Sequence, residues 1–255
     1  MRLRRPTLDH SGRRESEPVQ HGCRRTRNTT SPRGTHETVI ARSTRESTKH
    51  PARSTPHPAG PTNRSTTMAT DWIALQALAA AEFGRRVAAV TDWDASTPDS
   101  EWTTRDLVRH VVEEQRWIPK LLTGCDYAQA EADLEAVGPD LAAEWAKFAA
   151  EAIEAWQRTP ADTPVHLATD VVPAGQYLTE QTSDITIHTW DLARATGSDE
   201  TLPDELVQAV WEHFEPQIED LAATGLYAAP VDVDDDAPLQ VRLLAVTGRD
   251  ARVAA

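Results

Sequence analysis

Two histidines and one aspartate have the residue types and spacing for metal chemistry. Asp184 and His188 stand four apart in SDITIHTW, and residues four apart share one face of a helix. His110, in DLVRHVVEE, follows Leu107 by three within a second helical pattern. Asp184 and His188 could therefore grip one ion from a single helix while His110 reaches it from another. Two imidazoles and a carboxylate suit a borderline divalent cation such as zinc, and they leave at least one coordination position open. A structural zinc site is normally closed by four protein ligands, so three point to a metal that works on a bound molecule. The spacing alone is weak. An Asp and a His four apart also arise as a simple hydrogen-bonded pair, and a histidine on an apolar face is commonly a satisfied core residue.

Other chemistry-bearing residues have blander readings beside them. Glu113 or Glu114 could be a fourth ligand, a partner of His110 or a general base, although helix carboxylates are usually only solvated. Glu114, one turn beyond His110, is the better placed. Asp191 and Arg194 in HTWDLARATG could pair and so orient the ligand helix, or form a plain surface pair. Trp190 reads as core and Trp102 as packing near the start of the second helix. Cys125 has no evident activating base and reads as a packing thiol. His166 falls in a turn region, and His213 has no partnered carboxylate that fits the motif. The run Asp232 to Asp236 lacks the Gly and distal Glu of an EF-hand loop and reads as a solvated turn. No residue can be assigned as catalytic acid or base, or as a thiol-binding group.

The elements that must position these residues are helical. Asp71 can cap a first helix over 72–90, with Trp72, Leu75, Leu78, Phe83 and Val87 along its apolar stripe. Thr103 or Thr104 starts a second, in which Pro119 should kink or split the chain and Gly124 ends it. A third follows Pro139, a fourth covers 176–197 and closes at Gly197, and a fifth follows Pro203 with an interruption at Pro216. The β-branched alternation from Asp184 to Thr189 also admits a strand, but its flanks QYLTEQ and WDLARA favour helix. Residues 164–175 suggest a small hairpin, and the segment after Asp236 a short Pro-initiated helix. The expected fold is all-α: a four-helix up-down bundle with a small hairpin and extra C-terminal helices.

Charge divides the chain sharply. Residues 1–67 carry fourteen basic and five acidic residues, a net +9; residues 68–255 carry 12 basic and 35 acidic, a net −23. The first segment has almost no apolar content and cannot bury enough surface to offset the entropy of ordering. It reads either as a disordered basic tail or as a stretch upstream of a native start at Met68. Residues 68–255 read as the metal-binding domain, with its core at about 72–197 and a helical extension over 198–255. There is no apolar stretch of the kind that a secretion signal or a membrane span requires. The acidic body argues against nucleic acid and anionic membranes as partners. The sparse cysteines, Cys23 and Cys125, suit a reducing cytoplasm better than a disulfide framework.

The segments EWTTRDLVRHVVEEQRW and TSDITIHTWDLARATG closely resemble signature stretches of the mycothiol-dependent maleylpyruvate isomerase-like family, within the wider DinB/YfiT-like group of metalloenzymes. The resemblance is closest to a short subgroup known mainly as metal-binding proteins. It runs from about Trp72 to Arg249, includes the ending DDAPLQVRLLAVTGRD, and does not touch residues 1–67. It implies a four-helix bundle holding a divalent metal by a histidine on the second helix and a carboxylate-x-x-x-His pair on a later one. In this sequence those positions are His110, Asp184 and His188. It further implies a thiol-dependent metalloenzyme of transferase or isomerase type, with mycothiol as cofactor and a small-molecule electrophile as substrate.

Two departures qualify that implication. The characterised isomerases use Glu where this chain has the shorter Asp184, so the helices must approach more closely. They also carry a further C-terminal domain, for which the residues after Gly197 are too few. A metal-hydroxide hydrolase and a non-catalytic metal- or ligand-binding module therefore stand as alternatives, and a homodimer is compatible with such a bundle.

Overall fold

Among the described residues, four helix starts fall where short polar side chains satisfy the open N–H groups of a first turn, and three others directly follow a proline with no side-chain cap. The structure is a computed structural model describing residues 70–98, 102–168, 170–219, 221 and 227–253. The readings made of residues 1–67, Met68 and Cys23 lie outside the described residues. Helix α1 spans Trp72–Ala88, with Asp71 accepting from the Ala74 N–H at 3.1 Å. Helix α2 spans Thr104–Leu122 and opens on a reciprocal capping box: Asp106 N–H donates to the Thr103 hydroxyl, and Thr103 N–H to the Asp106 carboxylate. A short α3, Tyr127–Asp133, was not expected, although Asp126 and Gln129 cap it in the same way. Helix α4 spans Leu141–Arg158 behind an Asp140 cap. A two-stranded antiparallel hairpin follows, β1 Pro164–His166 and β2 Val171–Pro173, with Val165 opposite Val172. Helix α5, Ala174–Thr196, ends at Gly197 with φ 63°. Helix α6, Asp204–Phe214, passes into a 3₁₀ turn, Glu215–Gln217, at the expected interruption, and α7 spans Leu239–Val246.

Four of these helices form the up-down bundle expected from the sequence. α1 packs chiefly on α5 and α2 on α4, with α1–α4 and α2–α5 contacts closing the square. Phe83, Leu107, Val111, Trp145, Ile185 and Leu192 meet in one apolar cluster. On the outer side of α5, Ile187 and Trp190 join Val210, Trp211, Leu243 and Leu244 from α6 and α7. α5 is thus enclosed on two sides, and 16 of its 23 residues are buried.

That enclosure explains why the strand-like alternation from Asp184 to Thr189 folds as helix. Thr179, Ser183, Thr186, Thr189 and Thr196 each donate a hydroxyl to the carbonyl four residues back. Buried hydroxyls satisfied within the helix remove the cost that would otherwise exclude them. The break expected at Pro119 does not split α2: the helix continues to Leu122. Pro119 lies in the last turn, where the helix has little further to run. Among the described residues, no helix is long and apolar enough to cross a membrane.

Candidate metal centre

His110 from α2 meets Asp184 and His188 from α5. Each offers one ligand atom, and the three atoms lie within 4.8 Å of one another. His188 Nε2 stands 3.4 Å from Asp184 Oδ1, and the two imidazoles are edge-on at 5.4 Å between ring centres. His188 is buried, whereas His110 and Asp184 are half-buried, so the cluster borders solvent. The second carboxylate oxygen of Asp184, Oδ2, is buried with no hydrogen-bond partner. An orphaned buried carboxylate oxygen is costly, and a cation held by this carboxylate would offset that cost. The donor set and that orphaned atom together fit a divalent ion. Among the described residues, no other group of three His, Cys, Asp or Glu side chains converges in this way.

A second layer fixes His188. Its Nδ1 lies 3.0 Å from Asp191 Oδ2, one turn along α5. Asp191, fully buried, accepts a fork from Arg249, with Nε at 3.0 Å and Nη2 at 2.7 Å. An Nδ1–H donated to Asp191 turns Nε2 toward Asp184 and His110, the usual way a carboxylate orients a metal-binding imidazole. Arg249 is placed by a tight turn after α7. Its N–H returns to the Leu244 carbonyl at 2.9 Å, and its Nη1 reaches the Thr247 carbonyl at 2.8 Å. Gly248 makes the turn with φ 80°, where a Cβ would fall 2.6 Å from that of Ala228.

The Asp191–Arg194 pair considered from the sequence does not form. Arg194 binds Glu200 at 2.6 Å and lies over the Trp190 ring, while Asp191 takes Arg249. Spacing along one helix could not reveal a partner 58 residues away.

Charge in the cluster is set by competing effects. Burial opposes ionisation of Asp184, but His188 and His110 outweigh it and hold the carboxyl below its ordinary range. Burial likewise opposes charge on Asp191, and Arg249 with His188 prevails. For His188, burial works against protonation, yet Asp184 and Asp191 raise it to about 9. Glu114 behaves oppositely to its carboxylate neighbours. Burial, reinforced by Asp184, pushes it up to about 8.

Glu114 is therefore not the solvated helix carboxylate that is the ordinary reading of such a residue. It accepts from Gln181 Nε2 at 3.4 Å, at the end of a buried amide chain. Gln76 donates to Gln115 at 3.2 Å, and Gln115 to Gln181 at 3.1 Å, linking α1, α2 and α5. Trp102 also exceeds its expected role, since its indole reaches both histidines of the cluster.

The remaining candidates lie elsewhere. Glu113 is half-buried and outside the cluster, His166 is exposed on β1, and His213 packs edge-on to Trp72 at 6.1 Å. Asp232, Asp234, Asp235 and Asp236 are exposed in a turn. Cys125 is buried, as a packing residue should be, with its Sγ 3.8 Å from the Thr123 hydroxyl.

Fold and cluster together define a four-helix bundle with a candidate metal centre between two of its helices. Residues 76–193 match the family model described as the mycothiol maleylpyruvate isomerase N-terminal domain, and the match contains His110, Asp184 and His188. The resemblance to the mycothiol-dependent maleylpyruvate isomerase-like family holds over this segment. A solved structure is also similar: the crystal structure of a mycothiol-dependent maleylpyruvate isomerase with a His-to-Ala substitution. It has a TM-score of 0.44 and 18% identity, and the similarity covers 55% of this chain and 66% of that one. The present chain thus spans just under two thirds of that isomerase's length. No curated protein matches.

Proposed function

We propose that this protein binds one divalent ion, zinc in the first place, through His110, Asp184 and His188. It acts there as a mycothiol-dependent metalloenzyme of the transferase or isomerase type in the cytoplasm. The observation that carries this reading is the convergence of three ligand atoms within 4.8 Å of one another, one of them from a carboxylate whose Oδ2 is buried with no hydrogen-bond partner. The family match over residues 76–193 supports the thiol. An ion in this site would supply Lewis acidity that favours a thiolate over its thiol, whose free pKa is roughly 8.5.

The protein's own groups do the rest. Asp191 and Arg249 keep the His188 ring aimed into the cluster. The half-buried edges of His110 and Asp184 leave an approach for a small thiol and an electrophile. In the metal-free protein, burial and the Asp184 charge favour the neutral form of Glu114.

The test is the metal content and affinity of the full chain beside His110→Ala, Asp184→Ala and His188→Ala. One ion per chain is expected, with affinity lowered in each variant by more than the roughly 10–100-fold that outer partners contribute. Mycothiol should then perturb the visible spectrum of the cobalt-loaded protein. If the wild type binds no ion and the variants lose only stability, the three residues are core residues and the enzymatic reading is dropped.

A further inference from the structure

The wall of the cluster is built by a residue outside the ligand set. Trp102 immediately precedes the cap of α2, and its backbone is held on both sides. Its carbonyl accepts from the N–H and the hydroxyl of Thr97, at 3.1 and 3.0 Å. Two residues on, Thr104 N–H donates to the Ala95 carbonyl at 2.8 Å. From this pinned position the indole lies 4.8 Å from the His110 ring and 6.0 Å from that of His188, nearly parallel to the latter at 28°. It is half-buried and packs against the main apolar cluster. The indole therefore lies against both imidazole rings of the cluster. Indole offers only an N–H donor and no lone pair to a cation, so it can exclude water there without ligating.

We infer that Trp102 is a positioning residue of the metal centre: it fixes the two imidazole planes and would shield an ion held there from water on its own side of the cluster. This rests on the metal reading above. An apolar shell that controls solvent access tunes the chemistry of a site as its ligands do. Without the indole, water would reach the ion from the α2 side, and the imidazoles would lose the surface that orients them.

The experiment is a cobalt titration of the full chain as wild type, Trp102→Phe and Trp102→Ala, with melting of the metal-free forms. Tetrahedral cobalt absorbs strongly in the visible, and five- or six-coordinate cobalt weakly. Wild type and Trp102→Phe should share the strong band. In Trp102→Ala the band should fall several-fold and affinity roughly tenfold or more. Cobalt quenching of tryptophan emission should drop in Trp102→Phe, placing the indole beside the ion. An unchanged cobalt spectrum and affinity in Trp102→Ala, with only a lower melting temperature, would overturn the inference and leave the metal site standing. A wild type that takes up no cobalt would overturn the metal reading and this one with it.

Discussion

Between α2 and α5 the Glu114 carboxyl is pushed up to about 8 from an ordinary 4.5, because burial disfavours its charge and Asp184 adds repulsion. The folded chain thus holds this proton more tightly than the unfolded chain does. The resulting stabilisation is complete below the unfolded value, declines as pH rises, and is lost above the folded one. Glu114→Gln keeps an acceptor for Gln181 and removes the titration. In the metal-free protein the variant should be more stable than wild type at pH 8 by roughly 1–3 kcal/mol. Its stability should also vary less between about pH 5 and 8. Urea denaturation across that range checks both, and parallel curves for the two proteins would refute the assignment. That Glu114 lies one turn beyond His110 was legible from spacing. That it is buried and neutral was not, since burial depends on which helix covers α2.

At the scale of the elements, capping and periodicity located the bundle helices well, because both are local. Asp71, Thr103 and Asp140 cap where short polar side chains precede apolar repeats. Short α3 escaped notice because seven residues carry too little periodicity to read. Close packing between elements was equally hidden. Gly84 in α1 faces Trp145 of α4, and a Cβ there would sit 2.8 Å from the indole nitrogen. Trp145 is buried and leans on Phe83 at 4.7 Å, so it has little room to yield. Helix propensity alone would favour alanine at this position by roughly 0.5–1 kcal/mol. Overpacking should reverse the sign, and Gly84→Ala is expected to destabilise by about 1–2 kcal/mol in chemical denaturation. A stabilised variant would mean that α1 and α4 can separate slightly at no cost.

Over the whole molecule, the chain returns after α7 to complete what α5 begins. Arg249 crosses to Asp191, and Leu243 and Leu244 cover Ile187 and Trp190. Arg249→Met would leave the fully buried Asp191 without its cation. A loss of about 3–5 kcal/mol is expected from breaking such a pair, with a 10–100-fold weaker metal affinity on the order seen for outer partners. Urea denaturation and metal titration measure the two separately. Unchanged affinity in a folded variant would remove Arg249 from the metal centre. The sequence by itself marked His110, Asp184 and His188 as candidates and placed them on helices, because i, i+4 spacing and a 3.6-residue period are properties of neighbouring residues and the resemblance falls on the same positions. It also separated a basic first segment from an acidic domain. Only the tertiary structure decided that Asp191 pairs with Arg249 rather than Arg194, that Glu114 keeps its proton, and that Trp102 walls the cluster. Each of those depends on groups brought together across the bundle, where distance in space, desolvation and shape carry no trace along the chain.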